Sequence, residues 1–192
     1  MIAIIKYNAG NIRSVQNALA RLGYESVITD DKDTILEADR VIFPGVGEAG
    51  SAMACLKERK LDEVICSITR PFLGICLGLQ LMCRHSEEAD TDCLGIFDTA
   101  VKLFPPQEIV PHMGWNNFES LEGVLFRGLS ASDDVYYVHS YYAEPCNNTI
   151  ATCNYIKPFS AALQRDNFFA TQFHPEKSAS VGEQILKNFL EL

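Results

Sequence analysis

The sequence lacks long apolar runs and has few basic residues for its number of acidic ones. No run reaches the roughly 18 apolar residues that a membrane-spanning helix requires, so we expect no membrane partner. With 16 Lys and Arg against 25 Asp and Glu, the net charge is −9. This charge argues against a nucleic-acid partner bound through its phosphates. The chain does not open with a basic stretch followed by a long apolar segment, so we also expect no signal peptide.

Paired cysteine motifs are absent as well. The number of cysteines is 7, which is odd, and no two of them have the CxxC spacing. No HExxH motif or paired Cys/His spacing occurs either, so we expect neither a metal site nor a cofactor. Unpaired cysteines of this kind are typical of a reducing compartment, and we expect a cytoplasmic protein.

Internal repeats, low-complexity tracts and Gly/Ser linkers are also missing, and a length of 192 residues suits one domain. We therefore expect a single domain over residues 1–192. The first half alternates strand-like and helix-like segments, which favours a mostly parallel central sheet with helices on both faces. The second half is richer in short strand-like segments. The predicted fold is therefore α/β with an antiparallel β extension.

Hydrophobic periodicity gives the bounds of these elements. The predicted strands cover residues 2–6, 26–29, 40–43, 72–75, 94–104, 115–118, 135–142, 161–164 and 168–173. The predicted helices cover residues 11–22, 49–59, 61–68, 77–85 and 178–190.

The segment GICLG, residues 74–78, falls between a predicted strand and a predicted helix. It matches the Gly-x-nucleophile-x-Gly elbow, with cysteine as the nucleophile. Such a turn strains the backbone at the nucleophile, and glycines two residues to either side let the turn close. The elbow would place the Cys76 sulfur above the carboxyl end of the sheet and at a helix N-terminus, which stabilises a thiolate. The alternative is that Cys76 is a small core residue, as we expect for Cys83.

A nucleophilic cysteine needs a base and a group that orients the base. His174 is the best candidate for the base, because it follows a predicted strand in the segment QFHPE, residues 172–176. Glu176 lies two residues further on and could accept the second ring N–H of His174, which would fix the tautomer. We expect His85 at an exposed helix end instead.

Acyl transfer also needs N–H donors for an oxyanion. The segment PGVG, residues 44–47, follows the third predicted strand. Its glycines would let backbone N–H groups approach a ligand, and would let a peptide plane flip. The amide of Leu77, directly after the cysteine, is the natural second donor. An ordinary turn is the alternative for PGVG.

In this order and spacing, PGVG, GICLGLQ and HPE resemble the class I, triad-type glutamine amidotransferases, a family with a flavodoxin-like fold, over essentially the full chain. The resemblance implies that Cys76 attacks the side-chain amide of glutamine to form a glutamyl thioester. It implies that His174 is the general base and acid and that Glu176 orients it. The implied oxyanion donors are Val46 and Leu77. The residues implied to hold glutamine are Gly47, Gln80, Ser140 and Tyr141.

Further segments resemble one branch of that family, the amidotransferase subunits of imidazole glycerol phosphate synthase. They are GNIRSVQNAL, PHMGWN, YYVHSYY and HPEKS, residues 10–19, 111–116, 136–142 and 174–178. This resemblance implies a heterodimer in which ammonia passes to a separate (β/α)8-barrel cyclase subunit. The products would be imidazole glycerol phosphate and aminoimidazole carboxamide ribonucleotide, in histidine biosynthesis.

A patch that combines aromatic residues, methionine and polar groups has the composition of a protein interface. The residues that we expect to contact the cyclase subunit are Asn11, His112, Met113, Trp115, Tyr136 and Lys177. Trp115 could instead lie in the core, and Lys177 could be a solvated lysine.

Two positions depart from the family pattern Asp-Tyr-Gly-x-Gly-Asn near the N-terminus. Lys6 replaces an acid, and Asn8 replaces a glycine. The family also suggests a form of control, because a free glutaminase would waste glutamine. We expect the donors at Gly45 and Val46 to be misaligned until the cyclase and its ligand bind.

Three alternatives remain at this point. The chain could be an amidotransferase subunit that serves another acceptor, such as pyridoxal phosphate synthesis. It could be a related cysteine hydrolase acting on peptides or small aldehydes, although Gln80 and Glu176 argue against this. It could also be a binding protein that kept the fold without the chemistry, against which the intact Cys–His–Glu set argues.

Overall fold

The structure is a computed structural model, and it describes residues 1–8, 10 and 12–192. Within these residues the helices are α1 (Ile12–Arg21), α2 (Lys32–Glu37), α3 (Ala49–Glu58), α4 (Leu61–Ser67), α5 (Leu77–Met82) and α6 (Ala179–Leu190). The strands are β1 (Ile2–Ile5), β2 (Ser26–Thr29), β3 (Arg40–Gly45), β4 (Phe72–Cys76), β5 (Cys83–Ser86), β6 (Thr91–Asp92), β7 (Phe97–Leu103), β8 (His112–Asn116), β9 (Ser120–Leu121), β10 (Val135–His139), β11 (Tyr141–Ala143), β12 (Thr149–Tyr155), β13 (Lys157–Arg165) and β14 (Phe168–Thr171).

The described residues form a central eight-stranded sheet in the order β2-β1-β3-β4-β14-β13-β12-β9. The first five strands in this order are parallel, and the last three continue the sheet in antiparallel fashion. The predicted parallel sheet with an antiparallel β extension is therefore confirmed. β4 lies in the middle of the parallel part.

Helices cover both faces of this sheet, as the alternating pattern predicts. One hydrophobic cluster includes Leu19 of α1 and Phe189 of α6. The other includes Leu56 of α3, Ile65 of α4 and Leu79 of α5. Because apolar residues of the strands belong to both clusters, each face of the sheet is buried, as parallel sheets require.

Two smaller sheets lie beside the central one. β8 pairs with β10, and β11, β7, β5 and β6 form a four-stranded sheet. The predicted strand over residues 135–142 is thus split at Ser140, and its two parts join different sheets. The predicted helix over residues 77–85 ends earlier, because the chain is extended from Cys83 and pairs with β7. His85 is therefore a strand residue beside Asp92 rather than a residue at a helix end.

The register of β4 determines what lies next to its last residue. Gly45 of β3 pairs with Cys76, and Thr171 of β14 pairs with Ile75. The segments that follow β3 and β14 therefore emerge beside the cysteine at the carboxyl edge of the sheet, where open α/β sheets bind ligands. Among the residues described, no helix is long and apolar enough to cross a membrane.

Candidate active site

The backbone at Cys76 is strained, as the elbow motif predicts. Its φ is +56° and its ψ is −108°, at the junction of β4 and α5. A Cβ at position 78 would lie 2.0 Å from the backbone oxygen of Phe43, and one at position 74 would lie 2.5 Å from Met82 Sδ. Real Cβ contacts are essentially never shorter than 3.0 Å. The two glycines therefore allow α5 to turn back tightly against β3 and β4, which holds Cys76 in an unusual conformation.

His174 and Glu176 form a buried pair directly after β14. The Nδ1–H of His174 donates a hydrogen bond to Glu176 Oε1 over 2.8 Å. A carboxylate oxygen can only accept, so this bond assigns the proton to Nδ1 and leaves Nε2 to face the cysteine. The side chains of both residues are at most 1% exposed. Two further hydrogen bonds fix the backbone at His174. Ser178 Oγ–H donates to the His174 carbonyl, and the His174 amide N–H donates to the Tyr136 carbonyl.

The surroundings of His174 favour its protonated form. Burial alone would lower the pKa of the imidazole, but the Cys76 sulfur and the Glu176 carboxylate together raise it to about 10. His174 Nε2 is buried and makes no hydrogen bond of ordinary geometry with the described residues. The sulfur is nevertheless near enough to contribute to this shift. The arrangement stabilises the imidazolium form of His174.

A cavity of about 320 Å³ opens above the sulfur. Its size is suited to a small molecule such as an amino acid. The residues that line it are Val46, Gly47, Cys76, Leu77, Gln80, Glu88, Pro111, Val138, His139, Ser140 and Tyr141. Both predicted oxyanion residues and all four residues predicted to hold glutamine thus surround the predicted nucleophile.

Two acidic or polar residues near the cavity were not predicted. Glu88 belongs to a short helical turn, and one carboxylate oxygen accepts from the Ala49 amide over 2.8 Å. Burial raises the pKa of its carboxyl group. Gln172 is fully buried, and its Nε2 lies 3.8 Å from Cys76 Sγ. Neither residue has a local sequence signal, because Glu88 reaches the cavity and Gln172 reaches Cys76 through contacts between segments that are distant in the chain.

The residues predicted to contact a partner divide into exposed and buried ones. Met113 and Trp115 on β8 are 63% and 55% exposed, so Trp115 is not a core residue. The rings of Trp115 and Tyr136 lie 5.9 Å apart, and Lys177 Nζ lies 6.0 Å from the Tyr136 ring. These four residues form one surface, which we call the β8 face. His112 does not contribute its ring to this surface, because the ring is buried.

The N-terminal positions of interest lie outside the cavity or outside the described residues. Lys6 and Asn8 are exposed and do not line the cavity above Cys76. Neither departure from the family pattern therefore places a side chain in the lining of the cavity. Asn11, which we predicted to contact a partner, lies outside the described residues.

Comparison with known proteins gives a consistent result over nearly the whole chain. Residues 3–192 match the family described as glutamine amidotransferase class-I. The imidazole glycerol phosphate synthase subunit HisH of Bacteroides fragilis is 60% identical over 194 residues, covering 100% of this chain and 99% of that protein. The protein of the same name from Bacteroides thetaiotaomicron is 58% identical, with the same coverage. A solved structure of a glutamine amidotransferase is 18% identical, with a TM-score of 0.77 and coverage of 99% of this chain and 97% of that one.

Proposed function

Because this chain belongs to the class I glutamine amidotransferases, we propose that it hydrolyses glutamine to glutamate and ammonia with Cys76, His174 and Glu176 as its catalytic triad. The observation that carries the proposal is the strained cysteine at the floor of the cavity, beside a buried His174–Glu176 pair. The whole chain, residues 1–192, would act as a single amidotransferase domain.

The first half of the reaction releases ammonia. The Cys76 sulfur attacks the side-chain amide carbon of glutamine, a C–S bond forms, and the carbonyl electrons move onto oxygen. The backbone N–H groups of Val46 and Leu77, which line the cavity, would donate to that oxyanion. The imidazolium of His174 then gives its Nε2 proton to the leaving nitrogen, and the C–N bond breaks to leave a glutamyl thioester.

The second half regenerates the cysteine. His174 is now neutral, and it removes a proton from a water molecule that attacks the thioester carbon. The C–S bond breaks, glutamate forms, and the proton remains on the imidazole beside the restored sulfur anion. Glu176 keeps Nδ1 protonated throughout, so that Nε2 is the nitrogen that exchanges protons in both halves.

Free glutamine carries an α-ammonium and an α-carboxylate that the cavity must recognise. The Glu88 carboxylate lines the cavity and is the group we assign to the ammonium. Gly47, Gln80, Ser140 and Tyr141 line the same cavity and would hold the rest of the substrate. Glutamine is thus the small-molecule substrate in this proposal.

The proposal for the enzyme that accepts the ammonia rests on the names of similar proteins and not on the shape of the cavity. Proteins 60% and 58% identical to this chain are named as subunits of imidazole glycerol phosphate synthase. We therefore assign this chain the same place, as the partner of a (β/α)8-barrel cyclase that consumes ammonia in histidine biosynthesis. The β8 face is the docking surface in this proposal, since Met113 and Trp115 are large exposed apolar side chains.

Docking would also control the chemistry. Gly47 has a φ of +119°, and among the described residues other than its chain neighbours no atom lies within 4 Å of the place where its Cβ would be. The peptide plane between Val46 and Gly47 therefore has room to rotate. Loss of one oxyanion donor typically costs about 10²- to 10³-fold in rate, so a single rotation would be enough to keep the free chain nearly inactive.

The test measures glutamate formation from glutamine in three mixtures. They contain the chain alone, the chain with the cyclase subunit, and the chain with the cyclase and its nucleotide ligand. Strong stimulation in the last mixture, abolished by Cys76→Ala while partner binding survives, is the expected result. Equal turnover in all three mixtures would contradict the assigned partner and its control. Absence of turnover in every mixture would contradict the glutaminase assignment.

A further inference from the structure

The carbonyl group of Tyr141 determines the orientation of a buried amide at the cavity. Gln80 Nε2 lies 2.9 Å from the Tyr141 backbone oxygen and 3.1 Å from Gln172 Oε1. A carbonyl oxygen can only accept, so the Gln80 atom facing it must be the nitrogen. The Gln172 atom that faces this nitrogen must in turn be the oxygen. The orientation of both amides is thus set by one backbone group.

The other end of the Gln172 amide is then an N–H donor, and it points to the cysteine. Its Nε2 lies 3.8 Å from Cys76 Sγ, and the Gln172 side chain is fully buried. The carbonyl oxygen of Val138 lies 3.9 Å from the same sulfur, and a carbonyl cannot stabilise a thiolate. The Gln172 amide therefore offers the sulfur a hydrogen-bond donor, whereas the Val138 carbonyl offers it only an acceptor.

A pair of neutral histidines also fixes the Tyr141 carbonyl, with His139 bonded to the carbonyl and His112 bonded to His139. His139 Nδ1–H donates to it over 2.8 Å, so His139 Nε2 must accept the hydrogen bond from His112 Nδ1–H at 3.0 Å. Burial lowers the pKa of His139 to about 3 and that of His112 to about 4, so both rings stay neutral. His112 is further fixed by a parallel stack on Tyr155, with ring centroids 4.1 Å apart. The carbonyl that orients Gln80 is therefore itself held in place.

We propose that Gln172 is a further catalytic residue, whose amide N–H stabilises negative charge on the Cys76 sulfur in an orientation imposed by Gln80 and the Tyr141 carbonyl. The inference rests on the proposed glutaminase function for its place in the reaction. In that reaction the N–H would act before the sulfur attacks glutamine and again when the thioester breaks. The contact between the Gln172 amide and the Cys76 sulfur does not depend on which substrate the chain uses.

The experiment measures the reactivity of the sulfur itself, so it needs neither glutamine nor a partner. The full-length chain is treated with iodoacetamide across a pH series, and mass spectrometry follows the alkylation of the Cys76 peptide alone. Gln172→Met removes the donor and keeps a side chain of similar length. We expect the neutral-pH alkylation rate to fall about tenfold, since a hydrogen bond to a charged group is commonly worth that much or more. The rise of the rate with pH should move to higher pH.

If Gln172 had a purely structural role, its replacement should change the alkylation rate in the opposite direction. Loosened packing would open the cavity, and alkylation would become faster. Gln164→Met on β13 is the matched control, because it makes the same chemical change away from the sulfur and should leave the rate unchanged. Gln172→Glu keeps the shape of the side chain but replaces the donor by an acceptor, and it should slow alkylation further. It also serves if Gln172→Met fails to fold.

The outcomes separate this inference from the proposed function. A wild-type rate and pH profile in either folded Gln172 variant would overturn the inference, whatever the glutaminase assay gives. Slowed alkylation together with a wild-type chain that cannot hydrolyse glutamine would support the N–H···S contact and contradict the proposed function. A parallel loss of alkylation rate and of kcat/KM for glutamine in the Gln172 variants would support both.

Discussion

Replacing Glu176 by Gln should lower the pH at which the enzyme loses activity on the alkaline side. The Glu176 carboxylate helps to raise the pKa of His174 to about 10 from the ordinary 6.5. In Glu176→Gln an amide oxygen can still accept the Nδ1–H bond, but the negative charge is gone. A bond to a charged group contributes about 1.5–3 kcal/mol and one to a neutral group about 0.5–1.5 kcal/mol. The difference corresponds to roughly one pKa unit.

The assay is kcat/KM for glutamine as a function of pH in the assembled enzyme, because in the proposed mechanism the imidazolium of His174 is the acid that releases ammonia. The alkaline limb reports its pKa and should move down by about one unit in Glu176→Gln. Glu183→Gln is the matched control, since Glu183 pairs with Arg21 on the surface over 3.8 Å and its substitution should leave the limb in place. An alkaline limb that is the same in wild type and Glu176→Gln would refute the reasoning.

The same shift has a consequence for stability. A folded pKa near 10 lies above the ordinary 6.5, so protonation of His174 stabilises the fold. This stabilisation is fully present below about pH 6.5 and is lost as the pH rises through about 10. The difference in unfolding free energy between wild type and Glu176→Gln should therefore stay constant up to about pH 9, the pKa expected for His174 in the variant, and shrink as the pH rises through about 10. A difference that stays constant from neutral pH to pH 10 would contradict the assigned pKa.

Three further predictions concern the elbow, the substrate and the partner. Gly78→Ala should lower the melting temperature more than Gly74→Ala, because its Cβ would meet a backbone oxygen at 2.0 Å rather than a flexible side-chain tip. Overpacking of this kind costs about 1–3 kcal/mol or more, and each kcal/mol lowers the melting temperature of a chain of this size by roughly 2–4 °C. Glu88→Gln should raise the KM for glutamine about tenfold with a smaller change in kcat, as expected for lost ammonium recognition, and an unchanged KM would contradict that role. Trp115→Ala should weaken binding of the cyclase by about 2 kcal/mol in calorimetry while leaving the melting temperature unchanged.

Local patterns were enough to predict the elbow and six of the eight strands of the central sheet, but they missed β9 and β12. Glycines at 74 and 78, a strand before them and a helix after them are all local features, and the structure has each of them. The end of that helix was predicted wrongly, because apolar residues continue through Cys83 at a spacing that also suits a helix. Pairing with β7, which no local pattern announces, makes the chain extended there. The helix α2 was missed because it is short and mostly polar.

The residues that line the cavity were easier to predict than the hydrogen bonds that hold them in place. The resemblance to a family indicated Gln80 and Tyr141, but the hydrogen bond between them joins segments that are distant in the chain. Gln172 lies two residues before the predicted base, and its sequence position gave no sign that it faces the sulfur. Its orientation depends on donors and acceptors that meet only when β4 and β14 are neighbours. Such a role becomes visible only in three dimensions.

The pairing of β4 with β14 also sets an order of events during synthesis of the protein. Cys76 leaves the ribosome long before the strand that carries the chain to His174, and β4 first has β3 beside it. In the proposed mechanism, a nascent chain therefore carries its cysteine without a base, and its thiol would not release ammonia from cellular glutamine. Translation of β14 and the residues after it would be the last step that assembles the proposed catalytic centre. Truncated or stalled chains should accordingly be harmless to the glutamine pool.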